Sequence, residues 1–97
     1  MPTIQFLGHE THDKLSNTVS FPALVDGREI ACVISYAAMR DHFGADYYDP
    51  IPTFMAHQRT IHQLTEKLIR EGRFEGDNKR IVIRSQDVTN FLKTRGR

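Results

Sequence analysis

Asp26-Gly27 stands between two apolar segments, and this dipeptide narrows the choice of fold more than any other feature of the sequence. A two-residue type I′ turn needs positive φ at both central positions, which glycine adopts freely and aspartate tolerates. The sequence therefore predicts a β-hairpin over residues 19–35 in which Val25 faces Arg28. Because side chains alternate along a strand, this register gathers the larger apolar set on one face: Val19, Phe21, Ala23, Ile30, Cys32 and Ile34.

Capping residues and apolar spacing predict the helices. Ser35 is a suitable N-cap and Gly44 a suitable residue after the last turn, which together predict a short helix over residues 36–43. Apolar residues at alternating spacings of three and four predict one long helix over residues 53–71. His57 falls on the buried stripe of that helix, so we expect a histidine hydrogen-bonded within the core. Burial there would make a pH-sensing role conceivable.

The remaining segments complete an α+β pattern. Residues 79–84 predict a strand, and residues 86–94 predict a last helix that follows an N-cap serine. Residues 4–6 form a further candidate strand, whereas the polar residues 9–17 are predicted to be a loop. The predicted fold is α+β: a small, mainly antiparallel sheet, made of the hairpin and the C-terminal strand, packed against one long and two short helices.

Length and cysteine content set the broad class of protein. The 97 residues predict a single compact domain over residues 1–97, with a short basic tail from about residue 93. Cys32 is the only cysteine, so no disulfide can form within the chain. The N-terminal residues lack the pattern of a signal peptide, and no apolar run approaches the about 20 residues of a membrane span. We therefore expect a soluble, cytoplasmic protein.

Charge is divided unequally between the two halves of the chain. Residues 1–51 carry three basic and seven acidic groups, whereas residues 52–97 carry ten basic and five acidic groups. Such asymmetry indicates a polar partner or self-association through opposite faces, so a homodimer is one hypothesis.

No arrangement of reactive side chains matches a known catalytic or cofactor motif. His9, Glu10, His12 and Asp13 are potential metal ligands, but the two histidines lie three apart rather than at the i, i+4 spacing of a helical zinc motif. A polar surface loop is the better interpretation. Cys32 lies on the inner face of the predicted hairpin, which favours an inert core thiol over a nucleophile. We therefore predict no catalytic residue, no metal, no cofactor and no enzyme activity.

Two surface groups are candidates for contact with a partner. Tyr47 and Tyr48 lie in a predicted loop, where they either fold over the core or contact another protein. The basic residues of the last strand and the tail either remain solvated or contact phosphate groups or a protein partner: Arg80, Arg84, Lys93, Arg95 and Arg97.

The order and spacing of several short motifs resemble a family of short bacterial proteins known as domain of unknown function 1488. The resemblance implies a compact α+β domain, a bacterial origin and no established activity, and it carries over no functional residue. It extends over nearly the whole chain and rests on these residues: Val19-Ser-Phe-Pro-Ala, Asp26-Gly27, Cys32, Ile34-Ser35, Phe43-Gly44, His57, Ile61, Ile69, Gly72, Ile81-Val-Ile and Asp87.

These observations favour a small non-enzymatic protein-binding or accessory module that acts through an unidentified protein partner. The alternative is a nucleic-acid-binding protein that uses the basic C-terminal half.

Overall fold

The computed structural model describes residues 3–46, 48–76 and 79–95, with only the backbone of the last two. The described residues form four helices and seven strands. The helices are α1 (Tyr36–Phe43), α2 (Ile51–Ala56), α3 (Gln58–Arg70) and α4 (Ser85–Arg95). The strands are β1 (Ile4–Phe6), β2 (Thr11–Asp13), β3 (Thr18–Ser20), β4 (Ala23–Val25), β5 (Arg28–Ile30), β6 (Cys32–Ser35) and β7 (Ile81–Ile83).

The predicted α+β class and the predicted hairpin register are confirmed. Asp26 and Gly27 have φ values of 53° and 83°, and Val25 pairs with Arg28 across the turn. Further along the hairpin, Val19 pairs with Ile34. The strands form one sheet in the order β1-β4-β5 and a second in the order β2-β3-β6-β7.

The hairpin is interrupted in the middle, so each of its arms contributes one strand to each sheet. The interruption lies at Pro22, which has no N–H to donate, and its carbonyl accepts a hydrogen bond from the N–H of Leu7 at 3.3 Å. The N–H of Phe21 still donates to the carbonyl of Cys32 at 2.8 Å, which keeps the two arms together.

Two strand predictions need correction. The predicted loop at residues 9–17 contains β2, which pairs antiparallel with β3 although its sequence has no apolar alternation. The predicted strand at residues 79–84 is shorter, and it runs parallel to β6, with Cys32 opposite Ile81. Both pairings join segments through backbone hydrogen bonds, which side-chain patterns specify weakly.

The predicted long helix over residues 53–71 is wrong: two helices, α2 and α3, replace it. They meet at His57, whose φ of −115° and ψ of 18° depart from helical values. A continuous helix would place this side chain on the same face as Phe54 and Ile61, which are both buried. The break turns His57 outward instead, and its side chain is exposed.

The ends of α1 agree with the predicted caps, whereas the start of α4 does not. The Ser35 hydroxyl accepts the N–H of Ala38 at 3.1 Å, and Gly44 adopts a left-handed φ of 70°. Ser85 is the first residue of α4 rather than its cap. The Asp87 carboxylate instead accepts a hydrogen bond from the N–H of Arg84 at 2.8 Å and so caps the N-terminus of the helix.

The core lies between the inner face of the hairpin, β7 and the helices. The buried apolar residues are Val19, Phe21, Ala23, Cys32, Ile34, Ala38, Met39, Ala45, Phe54, Ile61, Leu64, Leu68, Ile69, Ile81, Ile83 and Val88.

None of the helices among the described residues is both long and apolar enough to cross a membrane.

Candidate functional site

Two large apolar side chains project into solvent beside one shallow depression. Leu15 is 100% exposed on the turn between β2 and β3, and Tyr48 is 81% exposed in the loop before α2. Tyr48 lines a depression of about 230 Å³ together with His12, Lys14 and Asn17, which belong to the Leu15 hairpin. We call these five residues the Leu15–Tyr48 surface.

Aspartate side chains fix the backbone on both sides of this surface. The Asp13 carboxylate accepts the N–H of Leu15 at 2.9 Å and that of Ser16 at 3.3 Å. Hydrogen bonds from Ser16 and Leu15 hold the pKa of Asp13 below its usual value. In the other loop, the Asp46 carboxylate accepts the N–H of Tyr48 at 2.8 Å. The exposed side chains therefore stand on turns that are already ordered.

Only one residue of the predicted Tyr47-Tyr48 pair lies in the described part of the chain. Tyr47 lies outside the described residues. Tyr48 does not fold over the core, because most of its side chain is exposed. The sequence could not have placed the Leu15 turn near Tyr48, since the pairing of β2 with β3 forms the hairpin whose residues line the same depression.

The predicted basic set is only partly available to a ligand. Both terminal nitrogens of Arg84 donate hydrogen bonds to the carboxylate of Glu75, at 2.6 and 2.9 Å. This ion pair lowers the pKa of Glu75 and raises the pKa of Arg84 further. Arg80 is exposed at the other end of β7, and Lys93 is exposed on α4. The side chain of Arg95 and the whole of Arg97 lie outside the described part of the chain.

The charge asymmetry has a local explanation. The ion pairs found among the described residues each join two residues of the same half, such as Lys67 with Glu71 on α3. In the acidic half, the carboxylates of several aspartates accept backbone N–H groups at turns and chain ends: Asp13, Asp26, Asp46 and Asp49. Much of the acidic excess therefore serves turn formation.

One polar cluster was not anticipated from the sequence. It contains Asp41, His42, Ser85 and Thr89, which join the end of α1 to the start of α4. Nε2 of His42 lies 3.1 Å from the Ser85 carbonyl, 3.2 Å from the Ser85 hydroxyl and 3.1 Å from the Thr89 hydroxyl. The Ser85 hydroxyl donates to Asp41 at 3.0 Å, and the Thr89 hydroxyl donates to the Ser85 carbonyl at 3.0 Å.

The hydrogen bonds in this cluster differ from those of an activated serine. A carbonyl oxygen can only accept, so a bond from His42 to the Ser85 carbonyl requires the tautomer with its hydrogen on Nε2. Both hydroxyl hydrogens are already donated elsewhere. In a nucleophilic triad the imidazole must instead accept the serine proton, and the carboxylate must contact the imidazole. The cluster therefore acts as a structural tie between two helices.

Cys32 and the histidines near the N-terminus do not form a reactive centre. Cys32 is fully buried, and burial raises the pKa of its thiol to about 12. His9 is exposed, and His12 lies on β2 with its ring 3.5 Å from the Asn17 side chain. Within residues 3–46, 48–76 and 79–95, no three histidine, cysteine or acidic side chains group closely enough to hold a metal ion.

The half-buried histidine of the helical region is His62, not His57. The ring of His62 stacks on Phe6, with centroids 3.7 Å apart and planes 6° apart. Its Nε2 is buried and has no partner among the described residues. His57 packs its exposed ring near Phe43 at 4.8 Å. The helix break therefore places His62, and not the expected His57, against the aromatic side chains.

Comparison with known proteins identifies the family. The chain is 33% identical to the uncharacterized protein YrdB of Escherichia coli K12 over 69 residues, which cover 70% of this chain and 81% of that protein. It is 32% identical, with the same coverage, to YrdB of Shigella flexneri. A crystal structure of a DUF1488-family protein of unknown function from Shewanella loihica PV-4 shares the fold, with a TM-score of 0.74 and 22% identity over 82% of this chain and 90% of that one. The family described as protein of unknown function DUF1488 matches residues 4–82, and this chain belongs to it.

Proposed function

We propose that this protein is a non-enzymatic protein-binding module that works as one compact unit in the bacterial cytoplasm and uses no cofactor. The observation that carries the proposal is the Leu15–Tyr48 surface, where a fully exposed leucine and a largely exposed tyrosine stand on the two segments that border one depression. Large apolar side chains of this kind gain free energy when a partner removes them from water. Aromatic residues are also enriched among the residues that dominate binding energy.

The ordered turns under these side chains support the same proposal. Asp13 and Asp46 fix the backbone at Leu15 and Tyr48, so little backbone freedom is lost when a partner binds. A tyrosine brings a large contact area with few rotatable bonds. Binding energy from the two side chains is therefore not spent on ordering the surface.

The proposal can be tested by affinity capture with matched variants. The tagged protein, a Leu15→Ser/Tyr48→Ala double variant and a Met55→Ser control would each be exposed to nuclease-treated bacterial lysate at about 150 mM salt. Met55 is a suitable control because it is also exposed, at 47%, and does not belong to the surface. We expect the wild type and the control to retain the same protein, and the double variant to lose it.

The affinities of the wild type and the double variant for the captured protein are then compared. Truncation of two side chains that dominate an interface costs more than about 1 kcal/mol each, or at least a tenfold loss of affinity. Equal capture by the double variant and the wild type would refute the Leu15–Tyr48 surface as the binding site.

A second candidate function is nucleic-acid binding through the basic half. Arg80 and Lys93 favour it, because both are exposed and neither forms an ion pair among the described residues, although the charge of Arg80 helps to lower the pKa of Glu75. The ion pair of Arg84 with Glu75 weakens the case, since part of the positive charge is already neutralised. Reversal of Arg80 and Arg84 to glutamate should abolish binding of a labelled oligonucleotide measured by fluorescence anisotropy; unchanged binding would exclude this surface.

Homodimerisation remains a further proposal. Among the described residues each ion pair joins two residues of the same half, so the acidic and basic excesses of the two halves could attract one another between two copies. A mass of one chain, measured by light scattering at micromolar concentration, would contradict this proposal.

A further inference from the structure

A second surface, separate from the Leu15–Tyr48 surface, lies along the outer edge of β5. This strand is at the end of the order β1-β4-β5, so one of its sides has no neighbouring strand in that sheet. The backbone bonds from Asp26 N–H to the Thr3 carbonyl and from Leu7 N–H to the Pro22 carbonyl fix which residues of β4 bond to β1. The direction in which backbone N–H and C=O groups point alternates along a strand. The backbone groups of Leu24 therefore point toward β1, and those of Ala23 and Val25 point toward β5.

The same alternation identifies the free groups of β5. Arg28 and Ile30 face β4 with their backbone groups, so the N–H and C=O of Glu29 point outward. These two groups have no hydrogen-bond partner among residues 3–46, 48–76 and 79–95. The next outward carbonyl, that of Ala31, already accepts the N–H of Ile81. Glu29 therefore offers one donor and one acceptor for an added strand.

An apolar groove runs beside this edge on the side of Ile30. Its volume is about 560 Å³, and Val25, Ile30 and Phe74 supply its apolar walls. Gly72 and Gly76 also line it, and a Cβ atom added at either position would meet nothing within 4 Å. Because side chains of an added strand alternate between faces, every second one would enter the groove.

The charges at the rim indicate the chemistry of the occupant. Arg28 and Lys79 line the groove, and neither has an acidic partner among the described residues. The carboxylate of Asp26, also at the rim, accepts the N–H of Thr3 at 2.9 Å. A bound segment with carboxylates opposite the two cations would therefore complement the rim.

A second copy of this chain fits the edge poorly. In a two-fold antiparallel pair centred on Glu29, two glutamates would face each other, and a pair centred on Arg28 would oppose two arginines. Like charges directly opposite destabilise a strand pair. A pair centred on Ile30 would need the Ala31 carbonyl, which is already bonded to Ile81. The edge therefore discriminates against self-pairing.

We propose that the outer edge of β5 binds an extended segment of a partner protein as an added strand. The segment carries an acidic residue that meets Arg28 and, two positions away, an apolar residue that enters the groove against Ile30 and Phe74. This inference goes beyond the function proposed above, because it uses a different surface and a different mode of recognition.

Selection from a phage-displayed library of random nine-residue peptides tests the proposal directly, because the library samples every short segment that the edge could bind. We expect the selected peptides to share an acidic and an apolar residue two positions apart. Their affinity should fall at least tenfold for an Arg28→Glu variant and stay unchanged for an Arg59→Glu control, whose exposed cation lies on α3. Binding should shift the amide resonance of Glu29 in the spectrum of ¹⁵N-labelled protein.

Several results would overturn the proposal. These are a selection that yields no peptide, selected peptides without the shared pattern, or equal affinity for Arg28→Glu. A Glu29 amide resonance that shifts with protein concentration alone would assign the edge to a second copy instead. The Leu15→Ser/Tyr48→Ala variant should bind the peptides like the wild type, so failure of one proposal leaves the other standing.

Discussion

Replacement of His62 by phenylalanine should raise the free energy of unfolding, because the imidazole carries an unpartnered polar atom into an aromatic cluster. The ring stacks on Phe6 at 3.7 Å, and it lies 6.1 and 6.3 Å from Phe21 and Phe54. Its Nε2 is buried without a partner among the described residues. An unsatisfied buried polar group costs about 1–3 kcal/mol. Since the ring as a whole is only half-buried, we expect a gain of about 1 kcal/mol at pH 7.5.

One side of the His62 site is open. His62 borders an open groove of about 440 Å³, whose walls include Ile4 and Gln63. Phenylalanine keeps the planar ring that stacks on Phe6, and the open side of the site leaves neighbouring side chains room to adjust.

The same residue should make the stability of the wild type depend on pH. Burial lowers the pKa of His62 below its usual value of about 6.5, and Glu10 and Glu66 oppose this shift only in part. The unfolded chain therefore binds the proton more readily than the folded chain. The free energy of unfolding should fall as the pH falls through about 6.5, and the fall should end below the folded-state pKa.

Urea denaturation followed by far-ultraviolet circular dichroism at pH 7.5, 6.5 and 5.5 measures both effects. The advantage of His62→Phe over the wild type should widen toward pH 5.5, because the variant lacks the titrating group. His9→Gln is the matched control: it removes an exposed imidazole and should follow the wild type at every pH. The reasoning is refuted if His62→Phe is less stable at pH 7.5, or if its advantage does not change with pH.

Three further predictions follow from individual contacts. The buried Cys32 thiol, whose pKa is raised to about 12, should not react with Ellman's reagent at pH 8 until urea unfolds the chain; rapid reaction of the folded protein would contradict its burial. Ser35→Ala removes the acceptor for the Ala38 N–H and should cost about 1 kcal/mol in urea denaturation, whereas Ser35→Asp, which keeps an acceptor, should cost less. His42→Ala breaks the tie from α1 to Ser85 and should lower the free energy of unfolding by about 1–2 kcal/mol, so a variant as stable as the wild type would argue against the tie.

The parts of the fold that the sequence predicted correctly depend on residues close to one another in the chain. Asp26-Gly27 sets its turn through its own backbone preferences, and that turn fixes the hairpin register. Ser35 and Gly44 mark the ends of α1 through hydrogen bonds that reach no more than a few residues. The Tyr48 candidate was accessible from the sequence for the same reason, because loop chemistry marks the segment.

The sequence by itself determined the hairpin, the caps of α1 and the α+β class, since turn and capping preferences act between near neighbours. Only the tertiary structure decided that His62 rather than His57 meets the aromatic cluster. The non-helical backbone of His57 changes the direction in which the side chains of α3 point relative to those of α2. The tertiary structure also joined His42 to Ser85, 43 positions later, and brought the hairpin of Leu15 to the loop of Tyr48. Such contacts form between segments that are distant in the sequence. The packing of the whole core, and not a local sequence pattern, determines which residues meet.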